Sequence, residues 1–154
     1  MKPPSSDSIV IKGKITEGLR ESSSFTKLPW VKDQFIDKLG IDPYPGTLNL
    51  EIIDAGDLEK CKRIKSRKGV EIIPPEPGFC SAQCFHVLVC GKIEGALVIP
   101  HVPQYPESKI EIISSEKIRD VLFLKVGDLV EVEVLSMRKW RNRGLMKAPE
   151  NRSV

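Results

Sequence analysis

A threonine and an asparagine two residues apart, Thr47 and Asn49, follow a stiff Pro43-Tyr44-Pro45-Gly46 segment. On a pleated strand, residues i and i+2 share a face and lie roughly 6.5–7 Å apart. A hydroxyl and an amide oxygen placed this way offer a hard cation two neutral ligands. Magnesium characteristically takes few protein oxygens and completes its shell with phosphate and water. The same pair also fits an ordinary polar strand face beside a turn, where Thr and Asn are common. The residues alone leave both readings open.

A second group lies further along the chain. Glu111 sits between Ile110 and Ile112, so on a strand its carboxylate points away from the core, where a ligand hydroxyl can reach it. Ser114 or Ser115 then suits the N-cap of a short helix in which Ile118, Val121 and Leu122 share a face. The N–H groups of such a terminus, with Lys117 and Arg119 one turn on, suit a diphosphate. A capped surface helix with solvated cations is the plainer alternative.

Neither a Walker loop nor a GxGxxG is present, and no Ser/His/Asp arrangement stands out among two histidines. His101, in a proline-rich loop, reads as a surface residue. Cys80-x3-Cys84 with His86 raises the question of zinc, but the paired knuckles of structural sites are missing. Phe85, Val87 and Val89 alternate like a strand, with His86 turned the other way. Buried or half-buried thiols are the expectation. Any chemistry must then rest on positioning and charge neutralisation, which suffices for phosphoryl transfer.

The elements that must position these groups are short. Residues 8–15 alternate as a first strand, and Gly18 to Ser24 form a polar loop. Leu28, Val31, Phe35 and Leu39 recur at helical spacing, with Pro29 at the start and Gly40 at the stop, predicting a helix over about 29–39. Residues 47–52 form a strand with Leu48, Leu50 and Ile52 on one face and Thr47, Asn49 and Glu51 on the other. A short helix is expected over 57–65, and strands over 70–73, 83–90, 93–99, 109–113 and 129–135. Pro100 to Pro106 is irregular. Together these predict a mainly β fold, a small closed barrel with two or three short helices.

At 154 residues, 40% hydrophobic and 29% charged, the chain suits one soluble domain. The expected division is a disordered leader over 1–8, a barrel domain over 9–136 and a basic tail over 137–154. In that tail Arg138, Lys139, Arg141, Arg143, Lys147 and Arg152 face one acid, Glu150. Two readings of it stand, a solvated terminus and a phosphate-binding one. The net charge of +3 does not call for nucleic acid. No apolar run approaches a membrane span, and no secretory signal is visible, so a cytoplasmic monomer is the expectation.

Taken together, Gly13–Phe25, Asp42-Pro43-Tyr44-Pro45-Gly46-Thr47-Leu48-Asn49-Leu50, Gly95–Pro100, Ile110–Ile113, Lys117–Asp120 and Gly127-Asp128 resemble the archaeal-type CTP-dependent riboflavin kinase family. The resemblance runs from about Lys12 to Val134. It implies a six-stranded-type cradle-loop (RIFT-like) barrel that converts riboflavin and CTP into FMN and CDP. It further implies that Thr47 and Asn49 hold Mg2+ and that Glu111 contacts the flavin, these three forming the catalytic set. Lys117, Ile118, Arg119 and Asp120 would bind the nucleotide, with the loop of Gly18, Leu19, Arg20, Glu21, Ser22 and Ser23 cradling it. In the loop after Pro100 the family commonly places a Thr on the flavin. This chain has Val102-Pro103-Gln104-Tyr105, and Gln104 is the candidate substrate contact there.

The loop at Gly18 departs from the family pattern G-L-G-x-G-x-x-F, since Arg20 and Ser22 replace two glycines. Arg20 could then meet phosphate with its guanidinium in place of backbone N–H groups. Three functional classes follow. They are a CTP-dependent riboflavin kinase, a kinase of the same fold for another alcohol or nucleotide, and a non-catalytic flavin- or nucleic-acid-binding module.

Overall fold

The computed structural model describes residues 8–18, 26–78 and 80–136. The leader up to residue 7, residues 19–25 of the polar loop and the basic tail from residue 137 lie outside the described residues. Among the described residues seven strands and three short α-helices follow in order: β1 (Ser8–Thr16), α1 (Pro29–Gln34), β2 (Leu48–Glu51), α2 (Ala55–Lys65), β3 (Val70–Ile72), β4 (Ala82–Val89), β5 (Ile93–Pro100), β6 (Lys109–Ile113), α3 (Ile118–Val121) and β7 (Leu129–Leu135). The antiparallel sheet runs β3-β4-β5-β6-β2-β1-β7, and β7 pairs back onto β4. Six strands therefore close into a barrel and β3 stands outside it as an edge. Closure removes the exposed edges that a six-stranded open sheet would present.

Alternation along each strand decides what fills the barrel. Ile11, Ile15, Leu48, Leu50, Phe85, Val87, Leu97, Ile110, Ile112, Val130 and Val132 form the interior cluster. A second apolar cluster covers part of the outside: Val31, Phe35 and Leu39 pack over Ile72, Ala82, Cys84, Ala96, Val98 and Ile113. The helical period of 28–39 and the outward residues of β3, β4, β5 and β6 thus meet in one layer. This second layer is why β4 is buried along almost its whole length and why His86, turned away from the barrel interior, is nevertheless 2% exposed.

The helix expected over 29–39 is α-helical to Gln34 and then widens into a π-helical turn over Phe35–Leu39. It ends at Gly40, whose φ of 72° is the left-handed cap that glycine accepts readily. Side chains from this segment also seal the sheet edge. Gln34 bonds both the N–H and the C=O of Ile73, and Lys38 donates to the carbonyl of Glu71 at 2.7 Å. The second helix begins two residues before its expected start, because Asp54 accepts from the Asp57 N–H as an N-cap.

The helix after β6 differs more from expectation. It has four residues, its N-cap position is Lys117, and neither Ser114 nor Ser115 caps it. The Ser114 hydroxyl donates to the carbonyl of Glu94 at 2.8 Å, tying the end of β6 to β5, and its oxygen accepts from the Glu116 N–H at 3.3 Å, ahead of the helix. Ile118 is buried but Val121 is 42% exposed, so the expected shared apolar face is only partly used. Among the described residues no helix is long and apolar enough to cross a membrane.

Candidate active site

Strand β2 is bounded as Leu48–Glu51, leaving Thr47 just ahead of it on the turn. That turn is fastened at both ends. The Tyr44 N–H donates to the carbonyl of Ser114 at 2.7 Å, and the Gly46 N–H donates to the Thr26 hydroxyl at 3.1 Å. Gly46 has a φ of 107°, a conformation that favours glycine and directs the chain into β2.

The register then assembles the polar groups on the outer face of the barrel. Asn49 lies opposite Thr16 of β1 on one side and opposite Glu111 of β6 on the other. Glu111 in turn lies opposite Val98, a member of the outer apolar cluster. Thr47, Asn49 and Glu111, which are 64 positions apart at the extremes, therefore meet. The Thr47 hydroxyl donates to Glu111 Oε1 at 3.2 Å. Asn49 Nδ2 donates to the Thr47 carbonyl and to its hydroxyl oxygen, each at 3.1 Å. A carbonyl only accepts, so these contacts fix which end of the amide is nitrogen.

Asn49 is not a solvent-facing strand residue. It is 3% exposed, and its Oδ1 has no hydrogen-bond partner among the described residues. A buried amide oxygen left without a partner costs about 1–3 kcal/mol. That oxygen and the Thr47 hydroxyl are the hard donors a cation could use here, although the amide as placed turns its nitrogen rather than its oxygen to Thr47. Gly18 lies against the same amide: a Cβ there would run into the Asn49 side-chain nitrogen. Asn49 can hold its position only because residue 18 has no side chain.

Beside this cluster is a small cleft of about 130 Å³, lined among others by Tyr44, Gly46, Thr47, Ile112, Lys117 and Arg119. The structure thus brings Lys117, Ile118 and Arg119 to the same cleft as Thr47. Lys117 is half exposed and pairs with Asp120 at 3.7 Å. Because α3 is a single turn, the cations rather than a helix terminus are what this cleft offers an anion. A second hollow, sharing Tyr44 and Pro45 with the first, carries Lys27 and Lys32.

The family is decided by sequence comparison. The profile of a family described as CTP-dep_RFKase, Domain of unknown function DUF120, matches residues 15–134. The chain belongs to this family. A riboflavin kinase of Archaeoglobus fulgidus is 41% identical over 130 residues, covering 82% of this chain and 55% of that protein. A riboflavin kinase of Sulfurisphaera tokodaii is 41% identical over 128 residues, covering 80% of this chain and 93% of that protein. One from Methanosarcina barkeri is 34% identical over 134 residues, covering 85% and 59%. The chain therefore spans little more than half the length of some relatives and nearly all of another.

Of the nucleotide loop expected from the family resemblance, Gly18 is placed, and Leu19, Arg20, Glu21, Ser22 and Ser23 lie outside the described residues. Gln104 is exposed in a turn. The residue of that loop that reaches the site is its neighbour: the Tyr105 hydroxyl donates to Glu111 Oε2 at 2.7 Å. Burial raises the Tyr105 pKa, and the hydrogen bond and charge of Glu111 raise it further. Sequence reasoning missed Tyr105 because the loop has no periodicity to show which of its side chains turns inward. Cys84 and His86, weighed above for zinc, are both buried while Cys80 is exposed. Burial pushes the Cys84 thiol up to about 12, Lys38 opposing, which keeps it protonated. Among the described residues, no three His, Cys, Asp or Glu side chains come together as a metal site.

Proposed function

We propose that this chain is a riboflavin kinase that transfers the terminal phosphoryl group of CTP to the primary hydroxyl of the ribityl chain, giving FMN and CDP. The observation that carries the proposal is the hydrogen-bonded Thr47–Asn49–Glu111 cluster. Its support is the family and the naming of the relatives as riboflavin kinases. Magnesium held by Thr47 and Asn49 would supply charge neutralisation for the phosphates as the bridging P–O bond of CTP breaks.

The chain's own residues do the positioning. Glu111, held by Thr47 and Tyr105, orients the acceptor hydroxyl and accepts its proton as the new O–P bond forms. Lys117 and Arg119, lining the cleft beside Thr47, offset nucleotide charge. Gly18 leaves Asn49 undisturbed and begins the loop in which Arg20 serves as a phosphate contact. Catalysis of this kind is almost wholly orientation and electrostatics.

The test is incubation of purified protein with riboflavin, magnesium and either CTP or ATP, followed by chromatographic separation of the flavins. FMN is expected with CTP and far less with ATP. FMN formed equally from ATP would remove the donor assignment. Absence of FMN with either donor would reject the kinase reading in favour of a flavin-binding module.

A further inference from the structure

We infer that Tyr105 is a positioning residue for the phosphoryl acceptor, holding the Glu111 carboxylate from the side opposite Thr47, and that Lys65 locks the loop that carries it. The inference rests on the kinase reading above, in which Glu111 meets the acceptor hydroxyl. Two hydroxyls grip the carboxylate, one per oxygen: Thr47 on Oε1 at 3.2 Å and Tyr105 on Oε2 at 2.7 Å. A glutamate side chain held at one oxygen can still rotate about that contact. Held at both, it keeps one orientation, and misplacement of about 1 Å in a reacting group can cost a hundredfold in rate.

Tyr105 comes from an irregular loop with short-range bonds of its own, Tyr105 N–H to the Val102 carbonyl at 3.1 Å and Lys109 N–H to the Pro106 carbonyl at 3.3 Å. Residues 101–108 form neither helix nor strand, and prolines at 103 and 106 remove two backbone donors. The segment is held from outside by Ile52, whose N–H donates to the Ser108 carbonyl at 2.6 Å, and by the last residue of α2. Lys65 Nζ donates to the carbonyls of Pro106 at 3.2 Å, Glu107 at 3.0 Å and Lys109 at 3.1 Å. Those three bonds use every donor an ammonium has. The same Nζ lies 5.4 Å from the centre of the Tyr105 ring, and Lys109 Nζ lies 5.8 Å from it, both within cation–π range. Lys65 is itself fixed, because α2 packs on β1 and buries Cys61 and Ile64. Rigid helix, loop carbonyls, tyrosine ring and carboxylate thus form one continuous support, and the raised pKa of Tyr105 keeps its hydroxyl protonated and donating at neutral pH.

The test compares wild type, Tyr105→Phe and Lys65→Met. Steady-state kinetics with CTP are combined with riboflavin binding followed by flavin fluorescence without nucleotide. Tyr105→Phe keeps the ring and removes only the hydroxyl. It is expected to raise the riboflavin KM about tenfold, the size of losing one hydrogen bond to a charged group, with a matching loss of flavin affinity. The KM for CTP and the thermal midpoint should stay at the wild-type values. Lys65→Met is expected to give the same selectivity at roughly threefold, together with a lowered thermal midpoint, because it acts through the loop. Wild-type riboflavin KM and flavin affinity in Tyr105→Phe would overturn the inference, as would a loss falling equally on riboflavin and CTP. A wild-type protein that neither binds riboflavin nor forms FMN would instead reject the kinase reading and this inference with it, so the two failures are told apart by the wild-type arm.

Discussion

Asn49 and His86 both occupy outward-facing positions on barrel strands, and they are 3% and 2% exposed. Their surroundings differ. His86 sits opposite Ala96 beneath the helical layer, and it is bonded to the backbone of Leu39. Burial drives its pKa down to about 4, against the raising effect of that hydrogen bond, so the ring is neutral and structural. Asn49 is instead ringed by a hydroxyl, a carboxylate and a glycine. Burial alone therefore does not mark a functional polar residue. What sets Asn49 apart is the hydroxyl and the carboxylate gathered beside it from separate strands.

The largest effect separating the two regions is expected from Asn49→Ala. It should lower the rate of FMN formation by about a thousandfold, near 4 kcal/mol of transition-state stabilisation. Unfolding by denaturant should shift little, because the variant also removes an unpaired buried oxygen. His86→Gln should leave FMN formation at the wild-type rate. If His86→Gln loses activity as Asn49→Ala does, the contrast drawn between the two sites is wrong.

Leu50 separates fold from chemistry on the same strand as Asn49. It is fully buried in the barrel interior, and Leu50→Ala should cost ~3.5 kcal/mol in urea unfolding, mid-range for such truncations. Equal stability of the Leu50→Ala and Asn49→Ala proteins would show that the two faces of β2 are not distinct.

The His86 arm of the comparison has its own pH signature. Its folded pKa of about 4 lies below the ordinary 6.5. Between those values the unfolded chain binds a proton that the folded chain does not. The stability associated with His86 is therefore full above pH 6.5 and falls as pH drops towards 4, by about 3 kcal/mol in total. Wild type should lose that much more stability over this interval than His86→Gln. Parallel curves for the two proteins would mean that the ring titrates normally in the folded state.

The smallest effect is expected at the altered loop. If Arg20 replaces backbone donors as a phosphate contact, Arg20→Ala should weaken CTP binding by about 1.5–3 kcal/mol in calorimetry. The loss should shrink as salt rises, because an exposed charge pair is screened. Unchanged affinity at low salt would remove Arg20 from the site.

Much of this arrangement was legible in the residues. The alternation of Leu48, Leu50 and Ile52 and of Val130, Val132 and Val134 marks barrel strands. The helical spacing of Val31, Phe35 and Leu39 marks the segment that covers the outer face. What sequence could not supply was register. Nothing local says that Asn49 lies opposite Glu111, because that pairing joins residues 62 positions apart as the barrel closes. Nor does an alternating pattern show that the polar side of β4 would be roofed by a helix, which is why His86 looked outward and proved buried. The Ser114 cap failed because the helix begins later than expected: the Ser114 oxygen accepts from the Glu116 N–H, and the N-cap position falls at Lys117. Tyr105 and Lys65 act through a loop without periodicity, and only the folded chain shows them converging on Glu111.

The most direct test of the central assignment is a crystal structure of the protein with magnesium, CDP and FMN bound. The account predicts magnesium bonded to Asn49 Oδ1 and Thr47 Oγ1, the flavin's ribityl chain against Glu111, and the CDP phosphates between that metal and the cleft of Lys117 and Arg119. Magnesium and nucleotide bound elsewhere, with Asn49 Oδ1 touching neither metal nor ligand, would contradict it.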